Sequence, residues 1–165
     1  MAWPRALRHV ATTHRAAGKR FPPDALSRVQ AAITAGEATH RGEIRLIVEA
    51  ALPLRKIRRG MTTRQRAIDL FGTFRVWDTE ENNGVLLYVN VADRKVELIA
   101  DRAAARVVSP GQWQAICARL QDAFKRGDFE AGTLEAIRAI HALLATHFPT
   151  DGDRVNGLAD RPVML

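Results

Sequence analysis

The run Trp77-Asp78-Thr79-Glu80-Glu81-Asn82-Asn83-Gly84 packs oxygen donors into one loop and then enters the apolar segment Val85-Leu86-Leu87-Tyr88-Val89. Carboxylate and amide oxygens at the mouth of a buried strand are ligands for a hard cation, suiting calcium or magnesium better than zinc. The alternation Asp78, Glu80, Asn82 imitates the opening of an EF-hand loop. Asn83, however, stands where that loop needs glycine and Val89 where it needs a bidentate glutamate, so the segment is not an EF-hand. The candidate metal donors are therefore Asp78, Glu80, Glu81, Asn82 and Asn83, joined by Glu43 from an earlier strand. The same loop has an architectural reading. Asp78 and Thr79 would satisfy backbone groups of a turn, and Asn83-Gly84 would supply left-handed conformations before the strand.

Candidates for proton transfer and anion binding are fewer. His40, beside Arg41 and Glu43, is the best general acid–base candidate, Asp101 could assist it, and Arg102 could hold a phosphate. Cys117 lies on an apolar stripe without a neighbouring cation, which predicts an unreactive thiol. His141 and His147 do not share a helix face and are not joint metal ligands. Trp77 and Trp113 adjoin apolar stripes and are expected in the core. No GxSxG, Walker A, GxGxxG or HExxH pattern is present.

The elements that must position these residues are legible from periodicity. Residues 1–21 form a basic arm, loosely ordered or a short helix, ending at Phe21-Pro22-Pro23. A helix opens at Asp24 with Leu26, Val29, Ala32 and Ile33 on one stripe. Ile44, Leu46, Val48 and Ala50 alternate with Glu43, Arg45, Ile47 and Glu49, the period of a strand. Thr62 and Gln65 make a capping box for a helix carrying Ala67, Ile68, Phe71 and Phe74 inward. Val85–Val91 reads as a central strand covered on both faces. The turn at Ala92-Asp93-Arg94 is too short for a crossover, so Lys95–Ala100 must pair antiparallel. Ser109-Pro110-Gly111-Gln112 caps a helix bearing Trp113, Ile116, Cys117, Leu120 and Phe124, with Gly127 free to take positive φ at its end. A last helix over about 129–147 carries Leu134, Ile137, Ile140 and Leu144. Residues 150–165, rich in Asp, Gly and Arg, are expected to be a flexible tail. An extra edge strand could lie near Val107.

This order predicts a single α/β domain over residues 22–149, a three-layer α/β/α sandwich around a small mixed sheet. Parallel strands at 43–51 and 85–91, with an antiparallel third, bring His40, Glu43, the Asp78–Asn83 loop, Asp101 and Arg102 to one sheet edge. Crowded carboxylates there need a cation or Arg102 among them. Arg55, Lys56, Arg58, Arg59, Arg94 and Lys95 fall at the opposite end, so the domain should be electrically bipolar.

Composition sets the outer bounds. With 165 residues, 47% of them hydrophobic, the chain can bury a sizeable core. The formal charge of +7 resides mostly in arginine, and the basic runs lack interleaved aromatics, which argues against nucleic-acid binding. Retention on an anionic surface through Arg55–Arg66 is a separate reading. No apolar run reaches the roughly 18 residues of a membrane span. One cysteine and no signal-peptide pattern lead us to expect a cytoplasmic protein.

Trp77–Tyr88, taken with His40-Arg41-Gly42-Glu43-Ile44, Asp93-Arg94-Lys95-Val96-Glu97, Gly127-Asp128-Phe129 and His147-Phe148-Pro149, resembles the TPM domain family, in particular its short soluble bacterial members. The likeness spans about residues 24–148. It implies an α/β/α sandwich, and two kinds of activity: a thylakoid member is an acid phosphatase, whereas others are accessory modules for membrane proteins and some carry calcium. This chain has Asp101-Arg102-Ala103-Ala104-Ala105 where many members are glycine-rich. The resulting expectation is a binding or accessory module with an acidic edge for a divalent cation or a protein partner, in which membrane-associated machinery is one class of partner. A metal-dependent phosphoester hydrolase is the alternative.

Overall fold

The computed structural model describes residues 4–152 and 156–165. Among them the order is α1 (Arg5–Ala11), α2 (His14–Arg20), α3 (Pro23–Glu37), β1 (Glu43–Glu49), α4 (Leu54–Arg58), α5 (Thr63–Thr73), β2 (Gly84–Asn90), β3 (Lys95–Ala100), α6 (Arg102–Val107), α7 (Pro110–Lys125), α8 (Phe129–His147) and β4 (Val163–Met164). The sheet order is β3-β2-β1-β4. β1 and β2 run parallel from Glu43 opposite Gly84, while β3 returns antiparallel with Ala100 opposite Val85. The strand polarity inferred from connection lengths is thus the observed one.

Each face of the sheet buries its own apolar set. Ile44, Leu46, Val48, Val85, Leu87 and Val89 meet Val29 and Ile33 of α3, Ile116 and Leu120 of α7 and Ile137 and Ile140 of α8. Ile47, Leu86, Tyr88 and Ile99 meet Ala67 and Leu70 of α5 on the other side. All seven residues of β2 are buried, as expected of a central strand covered twice. In α5 the inward stripe is Thr63, Ala67 and Leu70, whereas Ile68, expected inside, is 53% exposed. Both capping boxes are present: Thr62 with Gln65, and Ser109 with Gln112.

Both ends of the chain depart from expectation. The basic arm is two helices, with Ala17 and Phe21 in the core and His9 buried, its Nδ1 accepting the Leu52 N–H at 2.8 Å. The flexible-tail expectation does not describe residues 156–165. Leu158 is buried under the α5 face, and β4 joins β1 in parallel, with Leu165 N–H donating to the Val48 carbonyl at 2.8 Å. A short strand supplied by a distant segment has no local signature, and the segment near Val107, where an extra edge strand is expected, is helical. The part of the tail at 153–155 lies outside the described residues.

Candidate functional site

The loop between α5 and β2 is pinned at several points. Asp78 N–H donates to the Arg75 carbonyl at 2.9 Å and Ala103 N–H to the Asn82 carbonyl at 2.9 Å. Asn83 N–H donates to Thr79 Oγ1 at 3.1 Å, and the buried Asn83 amide donates to the Arg41 carbonyl at 3.1 Å. The left-handed residues of this loop are Arg75, with φ of 53°, and Asn82, with φ of 52°, rather than Asn83 or Gly84. Gly84 is required for another reason: a Cβ there would lie 2.1 Å from the Val76 carbonyl oxygen.

Arginine side chains answer three of the acidic and amide groups at this edge. Asp78 pairs with Arg75 at 2.5 Å, Glu81 with Arg41 at 2.8 Å, and the Asn82 side-chain oxygen accepts from Arg102 at 3.1 Å. Glu80 is exposed. Glu43 turns inward, is 3% exposed, and accepts the Gly157 N–H at 2.9 Å. Arg41 and Arg75 are the partners that sequence reasoning missed; the spacing of Arg75 from Asp78 was a readable signal, the approach of Arg41 was not. Among the described residues no three Asp, Glu, His or Cys side chains are grouped so as to hold a metal ion. A cation here would lean on one carboxylate, with amide, backbone or water oxygens, and would be weakly held.

That carboxylate is Asp101. It is 7% exposed and caps α6, with Oδ1 accepting the Arg102 N–H at 2.7 Å. Its Oδ2 is enclosed and makes no hydrogen bond among the described residues. His40 is elsewhere in character. It is fully buried, and its Nε2 lies 2.7 Å from His141 Nδ1, while His141 Nε2 lies 3.2 Å from the Ala32 carbonyl. Gly36 makes room for this pair, since a Cβ at that position would collide with the His141 ring.

Trp113 is 8% exposed, in keeping with a core role, but Trp77 is 47% exposed. Arg75 lies over the Trp77 ring at 5.7 Å from its centroid. The apolar-stripe argument fails for Trp77 because α5 ends at Thr73 and the indole projects from the loop that follows. Cys117 is partly exposed, and burial in the main pushes its thiol up to about 11.

The opposite end of the sheet is not simply basic. Glu49 accepts from Arg66 at 2.7 and 3.0 Å and from the Tyr88 hydroxyl at 2.6 Å, and Asn90 donates to that hydroxyl at 2.9 Å. Asp93 is held by Arg5 at 2.6 Å and His9 at 3.1 Å. Lys56 lies 3.6 Å from Asp69, and Arg64 donates to the Leu98 carbonyl at 2.6 Å. Of the basic run, Arg55, Arg58 and Arg59 have no acidic partner among the described residues.

The family model described as TPM domain matches residues 18–143. Among solved structures, the BA42 protein of the psychrophilic bacterium Bizionia argentinensis superposes with a TM-score of 0.76 at 27% identity, covering 86% of this chain and 93% of that one. The N-terminal domain of a protein from P. gingivalis gives a TM-score of 0.59 at 18% identity, over 77% of this chain and 80% of that one, which is a likeness of fold. No curated protein matches. No helix among the described residues is long and apolar enough to cross a membrane.

Proposed function

Because the chain belongs to the TPM domain family, we propose that it acts as a binding module whose working edge is the loop from Trp77 to Asn83, and that this edge docks a partner protein. The observation that carries the reading is the exposed Trp77 on a loop held by backbone and side-chain bonds at Asp78, Asn82 and Asn83. An aromatic anchor already fixed in place loses little conformational freedom on binding, and tryptophan and arginine dominate interface energetics. Arg75, Arg41 and Arg102, with Glu80 and Glu81, would form the polar rim around it. A photo-crosslinking residue at position 77 should yield a discrete adduct in cells, absent when the same group replaces the equally exposed Ile68. Adducts that are the same at both positions, or none at 77, would remove this reading. Fractionating the adduct tells whether the partner is membrane-associated.

A divalent cation is the second reading, favoured by the enclosed Oδ2 of Asp101, without a hydrogen-bond partner among the described residues, beside Asn82 and Arg102. Millimolar calcium or magnesium should raise the melting temperature of the wild type but not of Asp101→Asn, by linkage. Equal melting with and without the ions retires it. Phosphoester hydrolysis through His40, Asp101 and Arg102 draws least support, because His40 is enclosed against His141 rather than presented at the edge.

A further inference from the structure

A cavity of about 460 Å³ opens at the far end of the sheet from Trp77, where β2 finishes at Asn90 and is followed by Val91. Carboxyl ends of parallel strands are where open α/β sheets receive ligands, and β1 and β2 are parallel. The floor is aromatic. Phe21, Phe124 and Phe129 form a mutual cluster with centroid separations of 5.9, 5.9 and 5.1 Å. Arg20, Arg94 and Lys125 line the same cavity, and no Asp or Glu among the described residues does. Arg20 lies over the Phe129 ring at 5.5 Å, and neither it nor Arg94 has an acidic partner among the described residues. Lys125 reaches Asp122 at 2.8 Å, a solvent-exposed pair that a competing anion can displace.

Apolar walls with a few convergent cations describe a site for a molecule of the opposite charge and matching apolar body. We infer that this cavity binds an anionic amphiphile, an acyl or aryl chain ending in a carboxylate or phosphate, with the chain on the phenylalanine cluster and the head among Arg20, Arg94 and Lys125. The volume falls in the ordinary range for small-ligand sites, roughly 300–1,000 Å³, and exceeds what a lone inorganic anion would fill. The inference is independent of the Trp77 edge, which lies at the other end of β2.

Two sources share this chemistry, a free acid and the acidic lipid of a membrane, and the test separates them. The full chain is titrated with decanoate, with decanol and decyltrimethylammonium as neutral and cationic controls, and followed by calorimetry and by displacement of anilinonaphthalene sulfonate. Floatation with phosphatidylglycerol vesicles, against phosphatidylcholine vesicles, forms the second arm. The expected result is saturable 1:1 binding of decanoate, retention on phosphatidylglycerol but not phosphatidylcholine vesicles, or both. The charge-reversed pair Arg20→Glu and Arg94→Glu should weaken it at least tenfold with an unchanged melting temperature. Arg55→Glu, outside the cavity, should leave it intact. Decanol binding as tightly as decanoate, charge reversal without effect, equal loss with Arg55→Glu, or no binding to either source at 1 mM would each overturn the inference.

Discussion

Replacing Glu49 by alanine tests whether the polar chain through the sheet is a requirement of the fold. Glu49 is 4% exposed at its side chain and Arg66 is 15% exposed, so the pair sits largely out of water. The substitution strips Arg66 of its three hydrogen bonds to that carboxylate and leaves the Tyr88 hydroxyl, which is wholly buried, without its acceptor. Breaking one side of a buried ion pair costs about 3–5 kcal/mol, because the remaining charge is stranded. At roughly 2–4 °C per kcal/mol for a chain of this size, the melting temperature should fall by about 6–20 °C, read by calorimetry or by circular dichroism. Glu49→Gln keeps an acceptor for Tyr88 and should lose only about 1.5–3 kcal/mol, the worth of hydrogen bonds to a charge. Removing both charges, Glu49→Leu with Arg66→Met, should recover much of the loss, since an apolar pair carries no desolvation debt. A Glu49→Ala melt within about 2 °C of wild type would refute the argument that this pair is desolvated.

Tyr88 is the single tyrosine, and burial, with the Glu49 charge beside it, raises its pKa far above the usual value. Absorbance near 295 nm should therefore show no phenolate on passing the ordinary range near 10 until the protein unfolds. Since the raised group is protonated in the fold, its stabilisation is intact below about pH 10 and declines above it. For Asp93, burial works against the charge, but the hydrogen bonds from Arg5 and His9 outweigh it and hold the carboxyl below its ordinary range. The depressed value means stabilisation present at neutral pH and lost as acid protonates the folded form, so the melting gap between wild type and Asp93→Asn should close below about pH 4. Two glycine substitutions should have opposite signs. Gly84→Ala drives a methyl into the Val76 carbonyl and should destabilise by several kcal/mol, whereas Gly72→Ala in α5 meets nothing within 4 Å and should stabilise by about 0.5–1 kcal/mol in denaturant melts.

What could be read from sequence was whatever is encoded locally. The capping boxes at Thr62 and Ser109, the doubly buried run at 85–91 and the short turn at 92–94 each follow from neighbouring residues. Connection lengths then fixed the strand directions, and with them the gathering of the Asp78 loop, Asp101 and Arg102. Contacts between distant segments were not legible: the Arg41–Glu81 pair, the His40–His141 pair and the addition of β4 to β1 depend on backbone placement. The exposure of Trp77 escapes the sequence for a related reason. Hydrophobicity speaks for burial only while a helix or strand continues, and there the helix had already ended.

The pairing of Ile47 with Val163 has a consequence for biosynthesis. β1 leaves the ribosome long before its outer neighbour does, so the nascent domain exposes a run of apolar residues with unsatisfied main-chain donors and acceptors. During that interval the same ladder can be completed by a strand from another nascent chain. Chain elongation at about 5–20 residues per second makes the window about 6–23 s long, and a holding chaperone that covers this rim would decide whether the product emerges as monomer or as entangled dimer.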